Sequence, residues 1–163
     1  MQYLVDGYNL LFFLSGPIKD IRKKREALLS ALEDLLSNIT VPTTVIFEGK
    51  HQADEESGRV QFPHFLVIFA PKGKSADDYI LEFLSYTFYP GEYTVVSSDL
   101  KLCSQARSLG AQTKDLSEFL AFLERKEQKA QKIKEEKQTK ETKKNFERLL
   151  KIFEERFQEG DDS

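Results

Sequence analysis

The residues of this chain best suited to chemistry are four aspartates: Asp6, Asp77, Asp78 and Asp99. Tyr3-Leu4-Val5 runs into Asp6, and Tyr93-Thr94-Val95-Val96 runs into Ser97-Ser98-Asp99. The apolar stretch Phe65–Phe69 is followed by Ser75-Ala76-Asp77-Asp78. Near-continuous apolar runs are expected for parallel strands covered on both faces, and ligands of such sheets collect beyond the strands' carboxyl ends. Carboxylates gathered on that edge repel one another and raise one another's pKa, so a cluster of three or more implies a cation. Oxygen donors without a Cys or a paired His favour Mg2+ or Mn2+ over zinc. A magnesium held by few carboxylates keeps waters, and an activated water can attack a phosphodiester. Asn9, three residues past Asp6, is placed to orient a water or a phosphate oxygen. Glu48, closing Thr43–Phe47, falls on the same edge.

Each acid has to be weighed against a structural role. Asp77 and Asp78 would also suit the positive end of a helix dipole, and Asp99 would serve as an N-cap. Asp6 is expected to have no capping duty, because Gly7-Tyr8-Asn9 follows it. Basic residues are expected around the mouth: Lys72 and Lys74 before the Asp pair, Lys19, Arg22, Lys23, Lys24 and Arg25 at the start of the first helix, and Lys50 and Arg59 in a loop. These would bind phosphates flanking the reacting one. Tyr8, if exposed, would stack a base; if buried, it belongs to the core. His51 and His64 form no zinc motif. Gly73-Lys74-Ser75 resembles the end of a phosphate-binding loop, but Ile68 stands where the upstream glycine is required.

The elements that must position these residues follow from hydrophobic period. A helix is expected over residues 20–39, with Asp20 as its N-cap and Ile21, Leu28, Leu29, Leu32, Leu35, Leu36 and Ile39 on its apolar face. Strands are expected at 3–5, 43–47, 65–69 and 93–96, with a weak fifth at 111–114. Ser75 caps a helix running to about Thr87. A further helix ends at Leu109 before Gly110, and another begins at Leu116. Residues 49–63 read as a loop, either an irregular crossover or one hiding a short helix. The order β-α-β-β-α-β-α-β-α implies an α/β fold, a three-layer α/β/α sandwich with a mostly parallel sheet.

Three segments are distinguished: a body over 1–123, a charged and distally amphipathic helical extension over 124–158, and an acidic tail over 159–163. The chain has 163 residues and a net charge of −3, unevenly spread. The body holds 12 Lys/Arg against 16 Asp/Glu, whereas residues 124–156 hold 12 Lys/Arg against 8 Glu. An acidic total does not exclude nucleic acid, because local basic patches bind phosphate. In the extension, Phe146, Leu149, Leu150, Phe153 and Phe157 recur at helical spacing, on one helix or two, and are expected to pack on the body or on a second copy as a homodimer. The lone Cys103 excludes an internal disulfide and sits in a helical pattern as a small buried hydrophobe. No apolar run is long enough to span a membrane, and the N-terminus enters a strand without a signal-type segment. A cytoplasmic location is expected.

The ordered motifs resemble those of the NYN domains, a branch of the PIN-like nuclease superfamily, and within them the YacP-like group. The resemblance covers residues 1–123. It rests on Val5-Asp6-Gly7-Tyr8-Asn9, Arg25-Glu26-Ala27-Leu28-Leu29, Val45-Ile46-Phe47-Glu48-Gly49, Lys74-Ser75-Ala76-Asp77-Asp78-Tyr79-Ile80, Val95-Val96-Ser97-Ser98-Asp99 and Gly110-Ala111. Glu48 stands where the group more often has Asp. The resemblance implies a PIN-like fold and Mg2+- or Mn2+-dependent endoribonuclease activity on single-stranded RNA, in RNA processing or decay, with ribosome-bound mRNA as one substrate. It implies Asp6, Asp77 and Asp99 as metal ligands, with Asn9, Asp78 and Ser98 supporting. Tyr8, Arg22, Arg25, Lys72, Lys74 and Ser98 are then the candidates for holding substrate. Two rivals are a body of the same fold that binds RNA or a ribosome without cutting, and a receiver-like signalling domain. The second would want an aspartate ending the third strand, where Ala70-Pro71 stands.

Overall fold

In a computed structural model of the chain, residues 1–17, 19–49 and 58–161 are described. They divide into two units, Met1–Arg125 and Lys126–Ser163. In the first, β1 (Gln2–Asp6), β2 (Thr43–Phe47), β4 (Leu66–Phe69), β5 (Tyr93–Val96) and β6 (Gln112–Lys114) pair in parallel, and β3 (Arg59–Gln61) adds an antiparallel edge. The strand order is β3-β4-β2-β1-β5-β6. The chain therefore builds outward from β1 in one direction through β2 and β4. It then crosses back by α3 (Ala76–Tyr86) to lay β5 on the other side of β1. That reversal between β1 and β5 is the topological switch point, where the strand ends diverge and leave a crevice.

Alternating strand residues feed two cores. Tyr3, Val5, Val45, Phe47, Val67 and Val96 face α1 (Gly7–Ser15), α2 (Ile21–Leu36) and the start of α5 (Leu116–Asp161). Leu4, Ile46, Ile68 and Val95 face α3 and α4 (Leu100–Ser108). This is the expected three-layer sandwich with a mostly parallel sheet. Leu28, Leu29, Leu32 and Leu36 are buried along the apolar stripe expected of α2, and Asp20 caps that helix by accepting from the Lys23 N–H at 3.2 Å. Cys103 is buried.

Two elements depart from expectation. Residues 7–15 form α1, where no helix was expected, and Asp6 is its N-cap. Gly7-Tyr8-Asn9 reads as a turn, yet it opens a helix. Leu10 and Leu11 are buried to 2% exposure or less, which supplies the tertiary packing that a nine-residue helix needs. Within the 49–63 loop, the described part holds β3 against β4, a strand where a crossover or a helix was expected. Lys50 and His51, singled out above, lie outside the described residues.

The second unit is helical. α5 runs continuously from Leu116 to Asp161, one helix rather than two. Leu116, Phe119 and Leu123 at its start are fully buried in the body's core, while Phe146, Leu149, Leu150 and Phe153 are between 45% and 65% exposed. Among the described residues no helix is long and apolar enough to cross a membrane.

One close contact joins β2 to the start of α1. A Cβ at Gly7 would lie 2.5 Å from Phe47 Cδ1 and Cε1. The Phe47 ring is fully buried and flanked by Tyr8 and Phe69, with centroids at 4.9 and 5.6 Å, so it has nowhere to swing. Gly7→Ala ought to gain up to about 1 kcal/mol of helix propensity. Overpacking costs typically ~1–3 kcal/mol and is expected to win. Thermal denaturation should show a melting point lowered by several degrees; an unchanged or raised value would show that the ring has room to move.

Candidate active site

Three helices begin at the carboxyl edge of the sheet, and each brings an acid with it. Asp6 ends β1 and caps α1, its Oδ1 accepting from the Asn9 N–H at 3.4 Å. Asp99 follows β5 and caps α4, its Oδ1 accepting from the N–H groups of Lys101 at 3.0 Å and Leu102 at 3.3 Å. Asp77 lies in the first turn of α3, whose cap is Ser75 Oγ, accepting from the Asp78 N–H at 3.0 Å. The expectation that Asp6 does no capping is therefore wrong. Capping engages only Oδ1 of Asp6 and Asp99, so it does not use up either carboxylate.

Asp6, Asp77 and Asp99 line one cleft of about 240 Å³, together with Asn9, Phe12 and Glu48. Asp77 is the middle member: its charge acts on Asp6, and the charge of Asp99 acts on it. Burial pushes the Asp6 carboxyl up to about 7, with the charges of Asp77 and Asp99 adding to the shift and the Asn9 N–H opposing it. The Asp77 carboxyl is also raised, first by burial and then by Asp99. Asp78 is exposed and is not part of the cleft lining, although its charge adds to the rise at Asp77.

Asn9 ties the two strands of the switch point together. Its Oδ1 accepts from the Ser98 N–H at 2.8 Å and from the Ser97 hydroxyl at 3.3 Å. A backbone donor fixes which end of the amide is oxygen, so the Nδ2 donors are left for other partners. Ser97 is buried to 1% exposure, and its Oγ also accepts from the Asp99 N–H at 3.1 Å. Sequence reasoning assigned Ser98 and missed Ser97. The available signal was position: Ser97 directly follows the buried β5 and sits two residues before the capping Asp99. Gly49 keeps the end of β2 close to β4, for a Cβ there would fall 2.2 Å from the Ala70 carbonyl oxygen.

The expected substrate-holding residues are mostly not at the cleft. Tyr8 lines it but is buried to 7% exposure, its hydroxyl accepting from Arg25 Nη1 at 3.0 Å. It is a core ring and offers no exposed face for stacking. Arg25 is buried to 9% exposure, with its guanidinium carbon 5.0 Å from the Phe69 ring centroid and 5.9 Å from that of Phe47. It braces the aromatic core and is not available to a phosphate, which corrects its expected role. Arg22 is exposed and pairs with Glu26 at 3.9 Å. Lys74 pairs with Glu82, Lys72 is exposed, and neither lysine lines the cleft. His64 pairs with Glu33. The exposed aromatic ring of the cleft is Phe12, one helical turn beyond Tyr8 and 46% exposed. No sequence signal pointed to it, because α1 itself was not recognised.

The donor chemistry of the cleft suits a hard divalent cation, since it is all oxygen, acidic and partly desolvated. Among the described residues, no three acids converge on one point as a preformed ligand set. Burial first, and then mutual repulsion, raises Asp6 and Asp77, and a cation would relieve the repulsion.

A mostly parallel α/β/α sandwich with carboxylates collected at its switch point is a nuclease-like fold. The chain belongs to the YacP-like NYN domain family, whose model matches residues 3–159. That match extends well past residue 123, where the sequence motifs end, and takes in most of α5. Rae1 (YacP) from Bacillus subtilis, solved by crystallography, is 25% identical, with a TM-score of 0.60 over 94% of this chain and 92% of that one. Its W164L mutant is 23% identical, with a TM-score of 0.59 over 79% of each chain. A comparison with curated protein sequences finds no match.

The raised Asp6 carboxyl has a consequence for stability. In the unfolded chain it ionises near its ordinary value of 3.8, while the native state keeps the proton up to about 7. Between those values the native state binds more protons, so stability falls as pH rises through that window. The full effect is about 4 kcal/mol. Urea denaturation in chelator should show wild type losing stability from pH 4 to pH 7, with Asp6→Asn losing much less. Equal pH slopes for the two proteins would contradict the assignment.

Proposed function

We propose that the chain is a metal-dependent endoribonuclease that hydrolyses phosphodiester bonds in single-stranded RNA, in RNA processing or decay. The observation that carries this reading is the three-carboxylate run Asp6–Asp77–Asp99 across the switch point of the sheet. Membership of the NYN domain family, a nuclease family whose relatives generally use divalent metals, supports it. Ribosome-bound mRNA is one form in which the unpaired strand would be presented.

Asp6, Asp77 and Asp99 would hold Mg2+ or Mn2+, which when bound offsets their charge and lowers the pKa of a water for attack on phosphorus. The protein's own residues do the remaining work. Asn9, locked through Oδ1 to the β5 end, keeps Nδ2 as a donor for a phosphate oxygen or the attacking water. Ser97 fixes both Asn9 and the Asp99 backbone, so it is a positioning residue. Asp78 adds negative charge behind Asp77 and stays outside the cleft.

Cleavage of a mixed single-stranded RNA pool should vanish in excess chelator and return with Mg2+ or Mn2+. Asp6→Asn and Asp99→Asn should each lower kcat by roughly a thousandfold or more, several kcal/mol at the barrier. Both variants should keep wild-type circular dichroism. Mg2+ should raise the melting point of wild type more at pH 8 than at pH 5, since at pH 5 it must displace the Asp6 proton. Undiminished cutting in chelator, or by Asp6→Asn, would sink the reading. Metal-independent RNA binding with no products would favour a body that binds without cutting.

A further inference from the structure

We infer that Phe12 is a base-stacking platform that holds an unpaired nucleotide beside the acidic cleft; this rests on the proposed ribonuclease reading and deepens it. The argument begins with charge. Among the described residues, the cleft is walled by Asp6, Glu48, Asp77 and Asp99, and no Lys or Arg lines it. Three of the basic residues expected to grip phosphates are engaged elsewhere, Arg25 in the aromatic core, Lys74 on Glu82 and Arg22 on Glu26, and the exposed Lys72 does not line the cleft. A strand entering this cleft meets repulsion at its phosphates, which a cation offsets only where it sits. The uncharged part of the neighbouring nucleotide, the base, is where this cleft can add affinity without meeting that repulsion.

Phe12 is the side chain placed to supply that affinity. It is on α1, two turns beyond the Asp6 cap, and lines the cleft while 46% exposed. Its neighbour Tyr8 backs it at 6.3 Å between centroids and is itself fixed by Arg25. The ring therefore borders the cleft against a neighbour that is itself held in place. Phe13 and Leu14 on the same helix are 51% and 52% exposed, but of these three exposed side chains Phe12 is the one that lines the cleft. Stacking on an aromatic face tolerates any base and needs that base unstacked from a duplex, which gives preference for single strands without sequence readout.

The test uses the full chain and a single-stranded RNA dodecamer in Mg2+, with an abasic site moved through its positions. Cutting is followed by kcat and KM, and binding by fluorescence anisotropy. Phe12→Ala should weaken binding and raise KM roughly fivefold to a hundredfold. Phe12→Trp should restore both, and melting points should stay close to wild type. One abasic position should cost wild type a similar factor and cost Phe12→Ala nothing further, because the lost contact is the same one. If wild type cuts and Phe12→Ala matches it, or if the abasic penalty persists in Phe12→Ala, the inference is overturned and the ribonuclease reading stands. If wild type binds the strand but never cuts it, the ribonuclease reading fails while the anisotropy comparison still decides the role of Phe12. If wild type does neither, both are overturned.

Discussion

The burial of Asp6 and Asp77 beside Asp99, with the repulsion it sharpens, is the constraint around which the described body is arranged. Three carboxylates in one partly dry cleft would drive apart or stay protonated unless something held them. Two features hold them. Each acid sits at a helix N-terminus, where the helix dipole and free N–H groups favour negative charge. Each is also delivered by the sheet or its crossover, so moving one means shifting β1, β5 or α3. The opposition drawn from sequence between capping and ligand roles dissolves here. Capping uses Oδ1 and is part of how the acids are kept together, which leaves the mutual strain for a cation to relieve.

Behind that edge lies a rigid support. Asn9 and Ser97 bind the β1–α1 corner to the β5–α4 corner, so the two halves of the switch point cannot open independently. Beneath α1, Tyr8, Arg25, Phe47 and Phe69 interlock, with a buried guanidinium against two aromatic rings. Burying a cation without a carboxylate at salt-bridge distance is costly unless its donors and its π contacts are well placed. Here Arg25 gives a donor to Tyr8 and a face to Phe69. Gly7 admits Phe47 at a distance no Cβ would allow, so the same plug sets where α1 begins and hence where Asp6 and Asn9 stand.

Much of this was legible in the sequence, for identifiable reasons. Buried parallel strands are short apolar runs, and the acids at their ends stand out against them. Periodicity therefore located the sheet and, with it, the edge shared by Asp6, Asp77 and Asp99. The apolar stripe of α2 and the Ser75 cap were equally plain. α1 escaped because Asp-Gly-Tyr-Asn has the composition of a turn, and its helix is stabilised by Leu10 and Leu11 packing on a core that sequence does not show. β3 escaped because three exposed residues on an edge carry no burial pattern. Arg25 was misplaced, and Tyr8 took the buried one of its two expected places, for one reason: residue type suggests surface chemistry, while their mutual hydrogen bond across 17 positions takes both inside.

These misplacements bear on how such a cleft would distinguish its substrate. A site that relied on Arg25 and Lys74 would grip any polyphosphate chain, duplex or single. With those charges engaged elsewhere, the described cleft wall is acidic, and on the proposed reading phosphate entry would depend on a cation for binding as well as for chemistry. Selectivity then passes to the uncharged side of the strand, and to whatever apolar surface the cleft offers it. The lip of α1 supplies that surface, since the helix that carries the Asp6 cap also carries Phe12. On the proposed reading its register would fix the distance from the reacting phosphate to the base, so the choice of substrate and the placing of the acids would rest on one short helix.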